Sequence, residues 1–191
     1  ITFTRTFKPN QWTTLTLPFN LTQDEVQKIF GDGTQLIMLD KATLSSDGGA
    51  RLHFIYHEIQ NVLPGYPYLI KPTDVEIDET NNSDASVDKD EYGNITSFTV
   101  YGKCINPFID QFEVNTTPYT FKGTPDYCTA KVSSSSTQGY SVKYEANDIF
   151  VSDGDGKLYV SGGSSYGKGY RAWLQKKEGT TSVKSISVVM S

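Results

Sequence analysis

The chain is poor in the residues that carry most enzyme chemistry. Its 191 residues include two histidines and two cysteines. His53 and His57 are the histidines, four apart in a segment that alternates polar and apolar residues. On a strand they would share a face about 13 Å apart, too far for one ion without bending. No third ligand or HExxH pattern accompanies them, so no metal or cofactor is expected. A nucleophilic Ser or Cys would need a His beside it, and no segment resembles a nucleophile elbow. No catalytic residue is therefore predicted, and carboxylate-only catalysis is the gap left open. Cys104 and Cys128 fit no zinc spacing and are compatible either with one disulfide or with two buried thiols.

Other absences narrow the class further. Charged residues are only 20% of the chain, with 17 basic against 22 acidic and a formal net charge of -5. Basic residues do not cluster beyond Lys176-Lys177, which argues against a nucleic-acid partner, since phosphate contacts need a concentrated positive surface. No apolar run approaches the length of a membrane span, so no membrane insertion is expected. Ile1 opens directly on a strand-like segment, with neither Met nor a leader before it. That predicts a start after processing or inside a longer chain, with neighbouring domains of the same polypeptide as partners.

What is present favours strands. Aromatics make up 13%, with 12 Tyr and 10 Phe, and aromatic and β-branched side chains pack well on a pleated surface. Alternation runs through Thr14–Phe19, Arg51–Ile59, Phe98–Tyr101, Tyr119–Phe121, Tyr140–Tyr144, Ile149–Val151, Leu158–Val160, Arg171–Leu174 and Lys184–Met190. Pro67–Pro72 is a short apolar run pinned at both ends by proline. Short strands broken by turn residues predict a mainly β fold, an antiparallel β-sandwich-like domain over 1–191. One helix interrupts it, at about residues 22–30. Thr22 and Glu25 form a capping box, Leu21 and Val26 a hydrophobic staple, and Gly31 supplies a left-handed end.

Two acidic stretches invite chemistry. Asp153-Gly154-Asp155-Gly156 shares part of a calcium-loop pattern, but Asp-Gly between alternating apolar segments is a strong hairpin signal, and the hairpin is preferred. Asp78 to Asn94 is the most polar segment and reads as a long solvated loop. A boundary between two half-domains, if the fold has one, falls at residues 78–97. Trp12, Trp173, Tyr66, Tyr92 and Tyr166 are the candidates for stacking on a sugar, weighed against the commoner use of such side chains in β cores. Arg171, beside Trp173, is expected to be a structural anchor, its guanidinium stacked or paired with a carboxylate.

Several segments, in order, resemble a β-rich domain of surface proteins from gut Bacteroidetes. They are Trp12-Thr13-Thr14-Leu15-Thr16-Leu17-Pro18-Phe19, the capped helix ending in Phe30-Gly31, Pro67-Tyr68-Leu69-Ile70-Lys71-Pro72, Tyr119-Thr120-Phe121-Lys122-Gly123 and Gly169-Tyr170-Arg171-Ala172-Trp173. Trp173 stands where that family has Tyr or Phe, and the cysteine pair is particular to this chain. The resemblance implies an extracellular or outer-surface module within a larger protein and supplies no catalytic residues. The leading expectation is a non-catalytic module for adhesion, display or spacing, its partner a glycan or a host or cell-surface protein. The alternatives are a carbohydrate-binding module using exposed Trp and Tyr, and a glycan-active enzyme with a carboxylate pair.

Overall fold

The computed structural model describes residues 1–56, 60–74, 84–105, 113–124, 140–180 and 182–191. Fifteen strands and one helix follow in chain order: β1 (Thr2–Phe7), β2 (Thr13–Leu15), α1 (Gln23–Phe30), β3 (Gln35–Leu44), β4 (Gly49–Tyr56), β5 (Tyr68–Lys71), β6 (Ala85–Lys89), β7 (Ile95–Val100), β8 (Glu113–Asn115), β9 (Tyr119–Gly123), β10 (Tyr140–Lys143), β11 (Ala146–Val151), β12 (Leu158–Gly162), β13 (Tyr166–Lys168), β14 (Ala172–Lys176) and β15 (Ser185–Met190). The fold is mainly β and sandwich-like, as the alternation predicts. The pairing is antiparallel except between β15 and β4, which run parallel.

A five-stranded sheet ordered β15-β4-β3-β5-β2 forms the middle layer. Period-two alternation splits its side chains between two cores. Leu36, Tyr68 and Ile70 point into the first, while Ile37, Leu39, Leu52, Phe54 and Leu69 point into the second. The consecutive apolar residues of β5 are thereby buried on both faces, which is why that strand reads as a run rather than an alternation. A bulge between Leu39 and Lys41 lets both Leu39 and Ala42 reach the second core.

The first core is closed by the three-stranded sheet β1-β7-β6 and by α1. Phe3 and Phe98 are register partners across β1 and β7. With Phe7 and Phe30 they make a cluster whose ring centroids lie 5.0–6.5 Å apart. The second core is closed by the five-stranded sheet β12-β11-β14-β9-β8, which contributes Tyr119, Phe121, Ile149, Ala172 and Leu174.

Helix α1 carries the predicted punctuation. The Thr22 amide donates to Glu25 Oε2 at 2.7 Å and the Glu25 amide to Thr22 Oγ1 at 3.3 Å. Leu21 and Val26 are both buried. Gly31 has φ 98° and ψ 153°, positive as only glycine readily allows but outside the left-handed helical cap geometry expected for it. A Cβ there would run into Thr73 Oγ1, so close approach also favours glycine. At eight residues, α1 is too short to cross a membrane, and no helix among the described residues is long and apolar enough to do so.

Two expectations need correction. The stretch 14–19 is strand only as far as Leu15, and Thr14 and Thr16, on the face opposite the leucines, are buried as well. The segment is wedged between layers, where Thr14 Oγ1 accepts the Ala172 amide at 3.0 Å and the Thr16 amide donates to the Tyr170 carbonyl at 3.3 Å. The acidic stretch is not one long loop. Its residues 85–89 form β6, paired with β7, and the Asp90 carboxylate closes the turn by accepting the Tyr92 and Asn94 amides. Residues 78–83 lie outside the described residues.

Candidate functional site

The hairpin signal at Asp153-Gly154-Asp155-Gly156 is a hairpin, joining β11 to β12. Gly156, at φ +70°, lies so near the β1–β2 connection that a Cβ would meet Gln11 Cγ at 2.5 Å and the Trp12 carbonyl at 2.8 Å. Two bonds clip the segments together: Lys8 Nζ to the Gly154 carbonyl at 3.0 Å and Gln11 Nε2 to the Asp153 carbonyl at 3.1 Å. Between this hairpin, β1 and the β13–β14 connection lies a cleft of about 410 Å³.

Arg5 lines it. The alternation of β1 places Arg5 on the same inward face as Phe3 and Phe7, and its side chain is 3% exposed. Its guanidinium sits 4.6 Å over the Phe7 ring. Nη1 donates to the Tyr170 carbonyl at 2.9 Å and Nη2 to Thr13 Oγ1 at 2.6 Å, while Nε is buried without a partner. Burial first, then the like charge of Arg171, works against the charged form of Arg5, and Asp153 works for it.

Asp153 is shared by two cations. Arg171 grips it through Nε and Nη2, at 3.1 and 2.9 Å from Oδ2, and Arg5 Nη2 stands 3.8 Å from Oδ1. Thr13 Oγ1 adds a bond of 3.3 Å. Burial alone would raise this carboxyl, but the Arg171 and Arg5 charges outweigh it and hold the group below the usual carboxylate range. The fourth corner is Tyr170, whose φ of 61° is an outlier for so bulky a residue. It is held there by its amide bond to the Thr124 carbonyl at 2.7 Å and by its ring, edge-on to Phe3 at 4.6 Å. Lys8 and Lys168 also line the cleft.

Arg171, offered by the sequence as an anchor stacked or paired with a carboxylate, pairs with Asp153. The aromatic candidates do not assemble. Trp173 is 5% exposed, covered by Tyr144 at 5.8 Å between ring centroids, so it is not the accessible stacking surface expected of it. Trp12 is half-buried against the second core and Tyr66 against the first, where burial pushes its phenol up. Tyr92 is exposed at the β6–β7 turn, and Tyr166 is exposed on β13, which pairs with β10 in a two-stranded ribbon. None of the five lines the cleft.

A second feature lies on the outer face of the sheet that holds β11. Tyr159, Phe150 and Trp173 are successive register partners across β12, β11 and β14. Tyr144 stacks on Phe150 at 5.1 Å, and Tyr159 is 44% exposed, its hydroxyl donating to Asp155 Oδ2 at 2.6 Å.

The remaining candidates stand apart. His53 is half-buried on β4 and His57 lies outside the described residues. Cys104 is exposed rather than buried, and Cys128 lies outside the described residues, so the question of their pairing does too. Among the described residues no three His, Cys, Asp or Glu side chains are placed to share a metal ion. The chain matches no protein-family model, no curated protein and no solved structure.

Sequence reasoning missed Arg5, although the signal was present: in Thr2-Phe3-Thr4-Arg5-Thr6-Phe7 it occupies the phenylalanine face. A cation in phase with core residues is either paired or functional.

Proposed function

We propose that the chain is a non-catalytic recognition module of an extracellular, cell-surface protein, serving adhesion through the Arg5–Asp153–Arg171 cleft. The observation that carries this reading is the geometry of Asp153, gripped by Arg171 at 2.9 Å with Arg5 at 3.8 Å. A general acid needs a carboxyl poised near the working pH, whereas two guanidinium groups hold this one ionised. A polar cleft with its charges fixed in place is suited to hold a ligand rather than to move protons. The placement outside the cell rests on the resemblance to surface domains of gut Bacteroidetes. The test is retention of the purified protein on surfaces coated with mucin or plant polysaccharide. Saturable retention, weakened by Arg171→Ala in a variant that still unfolds cooperatively, is expected; no retention on any surface would sink the reading.

A second reading is a carbohydrate-binding module acting through the outer aromatic row, which the exposure of Tyr159 beside Phe150 supports. Aromatic faces stack on sugar rings without needing charge. Loss of retention in Tyr159→Ala, with Arg171→Ala unaffected, would select it.

A further inference from the structure

We propose that the cleft binds an acidic saccharide, seating its carboxylate or sulfate against Lys8, Lys168 and the positive field of Arg5 and Arg171. This rests on the reading of the chain as a recognition module and names the ligand chemistry of that site.

Charge is the first ground. The chain carries a net charge of -5, yet the charged side chains among the described residues lining the cleft are four cations, Arg5, Lys8, Lys168 and Arg171, and one carboxylate, Asp153. The field at the cleft therefore runs against that of the molecule and is focused by low-dielectric walls.

Incomplete neutralisation is the second. Asp153 is divided between two guanidinium groups, so the trio of Arg5, Asp153 and Arg171 keeps a net positive charge. Arg5 is 3% exposed and its Nε has no partner. Holding a buried cation without a full counter-charge is costly, and an oxyanion entering the cleft supplies what is missing. Both guanidinium forks already serve protein acceptors, so they act as a fixed field. Lys8 gives one bond to Gly154 and an ammonium group carries three donors, which leaves it able to meet a ligand oxygen.

The lining selects the rest of the ligand. Thr4, Thr6 and Gln11 offer hydroxyl and amide groups at the cleft, which both donate and accept as sugar hydroxyls require. The volume of about 410 Å³ lies within the range of small-molecule sites.

The experiment is isothermal titration with three oligosaccharides: a galacturonate oligomer, a sulfated galactan and the neutral galactan. Binding of one or both acidic probes without the neutral one is expected, and the two acidic arms tell carboxylate from sulfate. The Lys8→Glu, Lys168→Glu double variant, with its unfolding temperature checked, should weaken that binding by about tenfold or more. Raising salt to about 1 M, where the screening length falls to about 3 Å, should weaken it as well. The inference is overturned if no acidic probe binds, if the neutral galactan binds equally, or if charge reversal leaves acidic binding unchanged. Those outcomes leave the adhesion reading to its own surface assay, and loss of surface retention with acidic binding intact would reject adhesion alone.

Discussion

The two faces of the central sheet solve the same burial problem with different materials. The first core holds a cluster of four phenylalanines, Phe3, Phe7, Phe30 and Phe98, and it admits charge at its margins: Arg5, and Glu25 paired with Lys103 at 2.8 Å. The second core is largely aliphatic and contains, among the described residues, one aromatic contact of this kind, Phe54 edge-on to Phe121 at 6.0 Å. Aromatic rings tolerate a guanidinium on their faces, as Phe7 does for Arg5, whereas an aliphatic core gives a cation nothing to lie on. The cleft of Arg5, Asp153 and Arg171 opens beside the first core.

The sharpest break of that comparison is truncation on each side. Phe98→Ala removes a side chain with three aromatic neighbours and should cost about 4 kcal/mol in urea unfolding; Phe54→Ala, with one, should cost nearer 3. Equal losses would erase the distinction between the cores. Asp153→Asn should cost about 2–3 kcal/mol by leaving two cations unpaired, less than a fully buried pair because Asp153 is 49% exposed.

Glu25→Gln should cost about 1–2 kcal/mol at neutral pH. Burial opposes the charge of Glu25, but hydrogen bonds from Lys103 and the Thr22 amide prevail and lower its pKa. Stabilisation from a lowered carboxyl is present above its unfolded pKa and lost as pH falls through the folded one. The gap between wild type and variant should therefore close below the ordinary carboxylate range, which unfolding curves across a pH series would follow. Tyr92→Ala, at a 79% exposed turn residue, should change stability by no more than about 0.5 kcal/mol.

How far the sequence discloses this molecule differs between fold and site. The capping box of Thr22 and Glu25, the Asp-Gly hairpin and the β5 run are local, and local rules read them. The contacts of the Thr13–Leu17 segment with Ala172 and Tyr170 are not local, so alternation alone does not tell that its threonines are buried as well as its leucines. Arg171 was legible as an anchor because it lies beside Trp173 in an alternating segment. Its partner was not, because Asp153 also satisfies every requirement of an ordinary turn residue. Tyr92 and Tyr166 are exposed, while Trp173 is not, since no pattern within β14 announces that Tyr144 covers it.

Strand β15 carries a consequence in time rather than in space. It lies parallel to β4, with Ser187 and Ala50 137 residues apart. During synthesis at about 5–20 residues per second, the outer edge of β4 stays open for about seven to twenty-seven seconds before its neighbour emerges. For that interval the middle layer offers a bare edge bearing Phe54 and Leu52, a template for pairing with another nascent chain. Slowing translation between the two strands should therefore lower the soluble yield more than slowing it elsewhere, a vulnerability set by the order of the strands rather than by their stability.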